Sequence, residues 1–224
     1  MTITPENWTW DSAKLDPARH PILAENRPSV WQATLTDEAN TLAQLTSLLS
    51  EEERCRLARL RLHADQRRFL IGRALLRIFV GNYMNLPAER VEFNHGPCGK
   101  PAVVAPTGTS ALQFNVSHSG QLVLLAFHQV HEVGVDVEEV QENLDWEAIA
   151  MRVFPAHEYR RLLDLNPEEG LPAFFQTWTR HEAVLKSMGL GFSDDKYTVP
   201  ETRLTCVDLA LPEGYQGAVA TLLY

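Results

Sequence analysis

Two stretches of this chain carry the same order of pattern, and that echo limits the fold more than any single motif does. A strand-patterned run, Val30–Leu35, precedes helix-patterned segments around Glu52–Leu60 and Arg67–Val80. A second run, 133–140, precedes similar segments around Ala156–Leu163 and Phe174–Met188. Aligning the last pair sets Phe69 against Trp178, Ala74 against Ala183 and Arg77 against Lys186. A pattern that recurs in sequence recurs as a supersecondary unit. The spacing therefore predicts an α/β (α+β) fold, a duplicated α/β lobe over 30–131 and 132–224 with a site between the copies. Residues 1–29 hold Pro5, Pro17, Pro21, Pro28, Trp8 and Trp10, and they read as an extended arm anchored by its aromatics.

Local signals fill in the lobes. A helix is expected over Asp37–Leu49. Ser50 followed by Glu51, Glu52 and Glu53 reads as an N-cap with acids in the first turn, where they complement the helix dipole; that helix runs to about Leu62. Another spans Ala64–Tyr83, with Phe69, Ala74, Leu75 and Ile78 on its apolar stripe. Glycine and proline punctuate 91–105 into strand and turn. Leu112–Val116 and Leu122–Phe127 read as short strands joined by a polar turn, Ser117–Gln121, and Val219–Leu223 closes the second sheet.

Composition narrows the function. The net charge of −9 argues against a general nucleic-acid binder, which carries a basic surface. Eight arginines nonetheless crowd between Arg54 and Arg77, a local patch suited to phosphate or to an acidic partner. Cys55, Cys98 and Cys206 form no CxxC pair, which fits a reducing, cytoplasmic setting. No signal peptide is expected, and the uncharged stretch 110–131 is too polar to span a membrane. GxxxxGK[ST], GxGxxG and HExxH are absent, so a P-loop enzyme, a dinucleotide fold and a zincin are not expected.

An acidic triplet carries the chemistry. In VGVDVEEV, Val133, Val135 and Val137 alternate, so Asp136 and Glu138 share the other face of a strand. In FFQTWTRHEAVLKSMG, Trp178, Glu182 and Lys186 fall on one side of a helix. Three carboxylates converging on one point suit a hard cation such as Mg²⁺, and a lysine one turn away suits a phosphate bound to it. Each part alone is ordinary: a DxE can be an exposed strand face, and a Glu–Lys pair can simply support a helix. His118 and the Ser117 hydroxyl, in FNVSHSG, are candidates for phosphate contact, and Glu158 on AHEYRRLL is a candidate general base.

The ordered set GKP (99–101), FNVSHSG (114–120), VGVDVE (133–138) and WTRHEAVLK (178–186) resembles the signature of the Sfp-type 4′-phosphopantetheinyl transferases, and RRFLIGRALLR (67–77) resembles that family's arginine-containing helix. The resemblance covers about residues 48–192 and implies a pseudo-twofold pair of similar α/β lobes with the site at their junction. It implies transfer of the 4′-phosphopantetheine arm of coenzyme A to a serine of an apo acyl or peptidyl carrier protein, with Mg²⁺, releasing 3′,5′-ADP. It further implies that Asp136, Glu138 and Glu182 hold the metal and that Lys186 contacts phosphate and assists the leaving group. Ser117, His118, Lys100, Arg56 and Arg73 would contact coenzyme A, and Glu158 would activate the serine. His181 stands where most members have lysine; it would face phosphate with less fixed charge. Glu53 stands where some members have a basic residue. The two-lobe length implies a monomer, since single-lobe relatives must trimerise. Two other readings use the same residues: a non-catalytic coenzyme A or carrier-protein binding module, and a Mg²⁺-dependent hydrolase of nucleotide diphosphates.

Overall fold

The computed structural model describes residues 2–8, 23, 26–96, 99–104, 112–190 and 203–223. Two short strands come first, β1 (Thr2–Ile3) and β2 (Glu6–Trp8). The first half then runs β3 (Ser29–Thr34), α1 (Ala39–Ser47), α2 (Glu51–Arg59), α3 (His63–Met84), a small hairpin of β4 (Phe93–His95) and β5 (Pro101–Val103), and a long hairpin of β6 (Gln113–Ser119) and β7 (Leu122–His128). The second half runs β8 (Glu132–Glu139), α4 (Trp146–Val153), α5 (Ala156–Leu163), α6 (Pro167–Ser187), β9 (Leu204–Leu209) and β10 (Tyr215–Leu222). Each half is thus a strand, three helices and a closing hairpin, and the expected echo of α2 with α5 and α3 with α6 is present.

Two four-stranded sheets result, ordered β2-β3-β7-β6 and β1-β9-β10-β8. In each, the second hairpin strand is central. Val30, Leu122, Leu124 and Ala126 of one sheet meet Val133, Val135, Val137, Leu209 and Val219 of the other. The outer face of the first sheet, Val123, Leu125 and Phe127, packs with Leu75 and Phe79 of α3. That of the second, Ala218 and Ala220, packs with Ala183 of α6. The layers run helices, sheet, sheet, helices. β7 is covered on both faces, which explains its unbroken apolar run LVLLAF. Each large aliphatic buried this way contributes roughly 1.5–3 kcal/mol.

Several expectations need correction. Within the expected arm, β1 pairs in parallel with β9 and β2 in parallel with β3, so backbone hydrogen bonds hold one strand on each sheet. Trp10 and most of the remaining arm lie outside the described residues. Ser117–Ser119 continue β6 rather than forming a turn, because their hydroxyls find partners on β8. β9 and α4 were not foreseen. Helix α6 begins at Pro167, earlier than the pattern suggested. Gly170 and Pro172 look like breakers, but a Cβ at Gly170 would collide with the Trp146 ring, and Pro172 sits near the helix start, where its missing N–H costs one bond. Among the described residues, no helix is long and apolar enough to cross a membrane.

Candidate active site

The edge of β8 faces β6, and the two strands are joined by side chains rather than by a backbone ladder. Asn115 Oδ1 accepts from Val135 N at 3.0 Å, Ser117 Oγ from Val137 N at 3.3 Å, and Ser119 Oγ from Glu139 N at 3.1 Å. Alternate residues of β6 thus satisfy alternate amides of β8, which would otherwise be costly unpaired donors. The two serine hydroxyls also donate. Ser117 Oγ reaches Asp136 Oδ1 at 2.9 Å, and Ser119 Oγ reaches Glu138 Oε2 at 2.7 Å. One strand therefore orients both carboxylates of the other.

The third side of the site is α6. Gly134 lies against its last turns: a Cβ there would fall on Ala183 O and Ser187 N. With Ala183, Ala218 and Ala220 also small, the helix lies close on the sheet. That approach brings Lys186 Nζ to 2.6 Å from Asp136 Oδ1 and 3.2 Å from Ser117 Oγ. Asp136 is 2% exposed, and its buried Oδ2 has no hydrogen-bond partner among the described residues. Burial raises the Glu138 carboxyl above its ordinary pKa; the Ser119 hydrogen bond opposes this, the Asp136 charge adds to it, Lys186 opposes it, and Glu182 adds to it. Asp136, Glu138, Glu182 and Lys186 therefore act on one another. Among the described residues, no three His, Cys, Asp or Glu side chains are gathered closely enough to hold a metal ion; Lys186 supplies the positive charge beside Asp136.

A cavity of about 200 Å³ opens beside this cluster, lined by Arg56, Arg68, Arg73, His118, Phe69 and Gly99 among others. His118 stands at its exposed mouth. Desolvation by the surrounding protein lowers its pKa, its backbone hydrogen bond opposes this, and the Arg68 and Lys186 charges lower it further. The arginines are held by aromatic faces. Arg56 and Arg73 lie over the Phe69 ring at 5.3 and 5.9 Å, and Arg73 and Arg77 over Phe93 at 5.5 Å each. Arg73 keeps a buried Nη1 without a partner among the described residues. Burial lowers its pKa, Glu53 opposes this, and repulsion from Arg56 and Arg77 adds to it. Arg56, Arg73 and His118 are thus brought together on one anion-suited cavity.

Ser117 is buried within the carboxylate cluster, its hydroxyl bonding Asp136, Val137 N and Lys186. Lys100 reaches into the junction of the two halves and bonds Glu132 Oε2 at 2.7 Å, Val133 O at 3.0 Å and Ser187 O at 3.2 Å. Glu158 accepts from Arg161 Nη2 at 2.9 Å on α5, and Arg161 in turn reaches Thr177 of α6. His181 packs edge-on against Phe154, centroids 6.2 Å apart. Glu53 closes a capping box with Ser50 and pairs with Arg77 at 2.6 Å and Arg73 at 3.3 Å. Its acidic identity is explained by the arginines it holds. Sequence reading assigned no role to Ser119, Asn115 or Gly134 at this depth; the signal was the matched alternation of NVSHS with VGVDVEE.

The family described as 4′-phosphopantetheinyl transferase, N-terminal, matches residues 29–130, and the 4′-phosphopantetheinyl transferase superfamily matches residues 132–208. A 4′-phosphopantetheinyl transferase of Nostoc sp., HetI, is 33% identical over 171 residues, covering 76% of this chain and 72% of its own. The chain belongs to the 4′-phosphopantetheinyl transferase superfamily. The transferase is also similar to psf-1 of Bacillus pumilus, at 34% identity over 196 residues, covering 80% of this chain and 82% of that one. A shorter match, 39% over 98 residues, links it to AcpT of Salmonella typhi and covers 44% of this chain and 50% of that one. It is an enzyme of the transferase class, and both the α/β fold and the family expected from the four ordered motifs hold.

Proposed function

We propose that this enzyme transfers the 4′-phosphopantetheine arm of coenzyme A to a serine hydroxyl of an apo carrier protein, with Mg²⁺, releasing 3′,5′-ADP. The observation that carries the reading is the pairing of Asp136 with Lys186 beside Glu138 and Glu182, with Asp136 Oδ2 buried and unpartnered among the described residues. An orphaned buried carboxylate oxygen is costly unless a ligand completes it, and an all-carboxylate donor set suits a hard divalent cation. Asp136, Glu138 and Glu182 would have to draw closer together than they stand here to hold that ion. When bound, it would offset charge on the diphosphate of coenzyme A.

The remaining chemistry belongs to the chain. Attack by the serine oxygen on the β-phosphorus forms one P–O bond as the P–O bond to the departing 3′,5′-ADP breaks. Lys186 would stabilise charge on the phosphoryl and leaving oxygens. Arg56, Arg73 and His118 would bind the phosphate-rich end of coenzyme A in the arginine-lined cavity, with His181 adding a charge contact near the reacting phosphates. Glu158 would take the serine proton, which requires it to leave Arg161. Ser117 and Ser119 orient the carboxylates. The enzyme would work as a cytoplasmic monomer.

The test is to incubate the protein with coenzyme A, Mg²⁺ and an apo carrier, then weigh the carrier. A gain of one phosphopantetheine supports transfer. Coenzyme A cleaved in the absence of carrier indicates a hydrolase, and neither product indicates a binding module.

A further inference from the structure

The C-terminal end of α6 carries the helical half of the site, and what holds that end comes from the other half of the chain. A helix leaves its last four carbonyls without intrahelical partners. Here Val184 O accepts from Met188 N at 3.2 Å, Leu185 O from Leu190 N at 3.0 Å, and Lys186 O from Gly189 N at 3.2 Å, with Gly189 at φ +67°. This is the local closure expected of a left-handed cap residue. The fourth carbonyl, Ser187 O, accepts from the Lys100 ammonium. A cation at a helix C-terminus also complements the dipole.

Lys100 does more than cap. It stands before β5 in the first half, and its ammonium also binds Val133 O and the Glu132 carboxylate at the start of β8. Its side chain is 16% exposed. The two elements it joins are those whose spacing sets the Lys186–Asp136 contact. Ser187 is the neighbour of Lys186, Val133 precedes Gly134, and Gly134 is where α6 touches β8 most closely. An ammonium with three acceptors on two elements fixes their separation.

We propose that Lys100 is a positioning residue: it locks the end of α6 onto the start of β8 and so holds Lys186 and Glu182 in register with Asp136 and Glu138, rather than binding coenzyme A. The catalytic consequence rests on the function proposed above; the structural lock does not.

Three variants test it: Lys100→Met, which keeps the apolar stem, Lys100→Arg, and Glu132→Gln, which loosens the same lock from the β8 side. Amide hydrogen exchange is followed in α6 and β8, coenzyme A affinity is measured by calorimetry, and transfer is measured at saturating coenzyme A and carrier. Lys100→Met is expected to speed exchange at Met188, Gly189 and Leu190 and to lower kcat about 10–100-fold, the scale of misplacement by about 1 Å. Coenzyme A affinity should change less than about threefold, below the roughly 1.4 kcal/mol of a tenfold effect. Glu132→Gln should act in the same direction, the double variant should be little worse than Lys100→Met alone, and Lys100→Arg should restore part of kcat. The proposal is overturned if exchange at the α6 end is unchanged. It is equally overturned if Lys100→Met weakens coenzyme A binding tenfold or more with kcat retained, or if the Glu132 and Lys100 effects are additive. A wild-type protein that transfers nothing would refute the proposed function, while the exchange measurement would still decide the lock.

Discussion

Lys186 Nζ lies 2.6 Å from Asp136 Oδ1, and the carboxylate it pairs with is 2% exposed. Removing the lysine leaves a buried carboxylate whose one remaining side-chain partner among the described residues is the Ser117 hydroxyl. Lys186→Met should therefore destabilise the fold by about 1–3 kcal/mol, and the double change with Asp136→Asn should recover part of that loss. Urea unfolding of the three variants checks it. Both single variants should lose transfer activity; Lys186→Met retaining wild-type kcat would remove the lysine from the site.

Gly134 is required by distance, not by backbone conformation. A single methyl there meets the backbone of α6 at Ala183 and Ser187, atoms that cannot rotate aside. Gly134→Ala should cost about 1–3 kcal/mol, the range for overpacking a filled interior. By pushing α6 outward it should lower kcat more than it lowers Tm would suggest. A soluble Gly134→Ala enzyme with normal kcat would show that the helix can shift without harm.

Much of this site was legible in the sequence. Strand periodicity put Asp136 and Glu138 on one face, and helical periodicity put Glu182 and Lys186 one turn apart. Both hold, because each rests on a local repeat fixed by backbone geometry. What alternation could not supply was depth. Nothing in the sequence pattern marks Gly134 as a packing point, yet it is the contact that lets α6 approach. Ser117–Ser119 read as a turn because polar residues usually face water; here they face the bare edge of another strand. Nothing in the sequence signals that the acceptors of the Lys100 ammonium, Glu132, Val133 and Ser187, come from such distant positions. Likewise the pairing of β1 with β9 and of β2 with β3 is visible only in three dimensions.

Ser119 offers a test of how β6 tunes the site. Its hydroxyl donates to Glu138 and favours the ionised form, against the burial that raises the Glu138 pKa. Ser119→Ala removes that opposing effect, so the Glu138 pKa should rise further. If transfer requires ionised Glu138, the acidic limb of the pH–rate profile should move to higher pH in Ser119→Ala. An unmoved limb would show that another group sets it.

Between the halves, the turn from β7 to β8 is tied by His128, whose Nδ1 accepts from Val130 N at 3.1 Å and His131 N at 3.0 Å. Both bonds need an unprotonated Nδ1. Burial lowers the His128 pKa below its ordinary 6.5, and the neighbouring His131 adds to the effect. The sign follows from proton binding: between the lowered native pKa and the unfolded value, the unfolded chain binds more protons. His128 therefore contributes stability that is fully present above about pH 6.5 and is lost as pH falls through the lowered native pKa. Unfolding free energies measured from pH 7.5 down to pH 5 should decline for the wild type and decline less for His128→Gln, which keeps a hydrogen-bond acceptor and cannot titrate. Parallel curves for the two proteins would show that the turn does not depend on the protonation of His128.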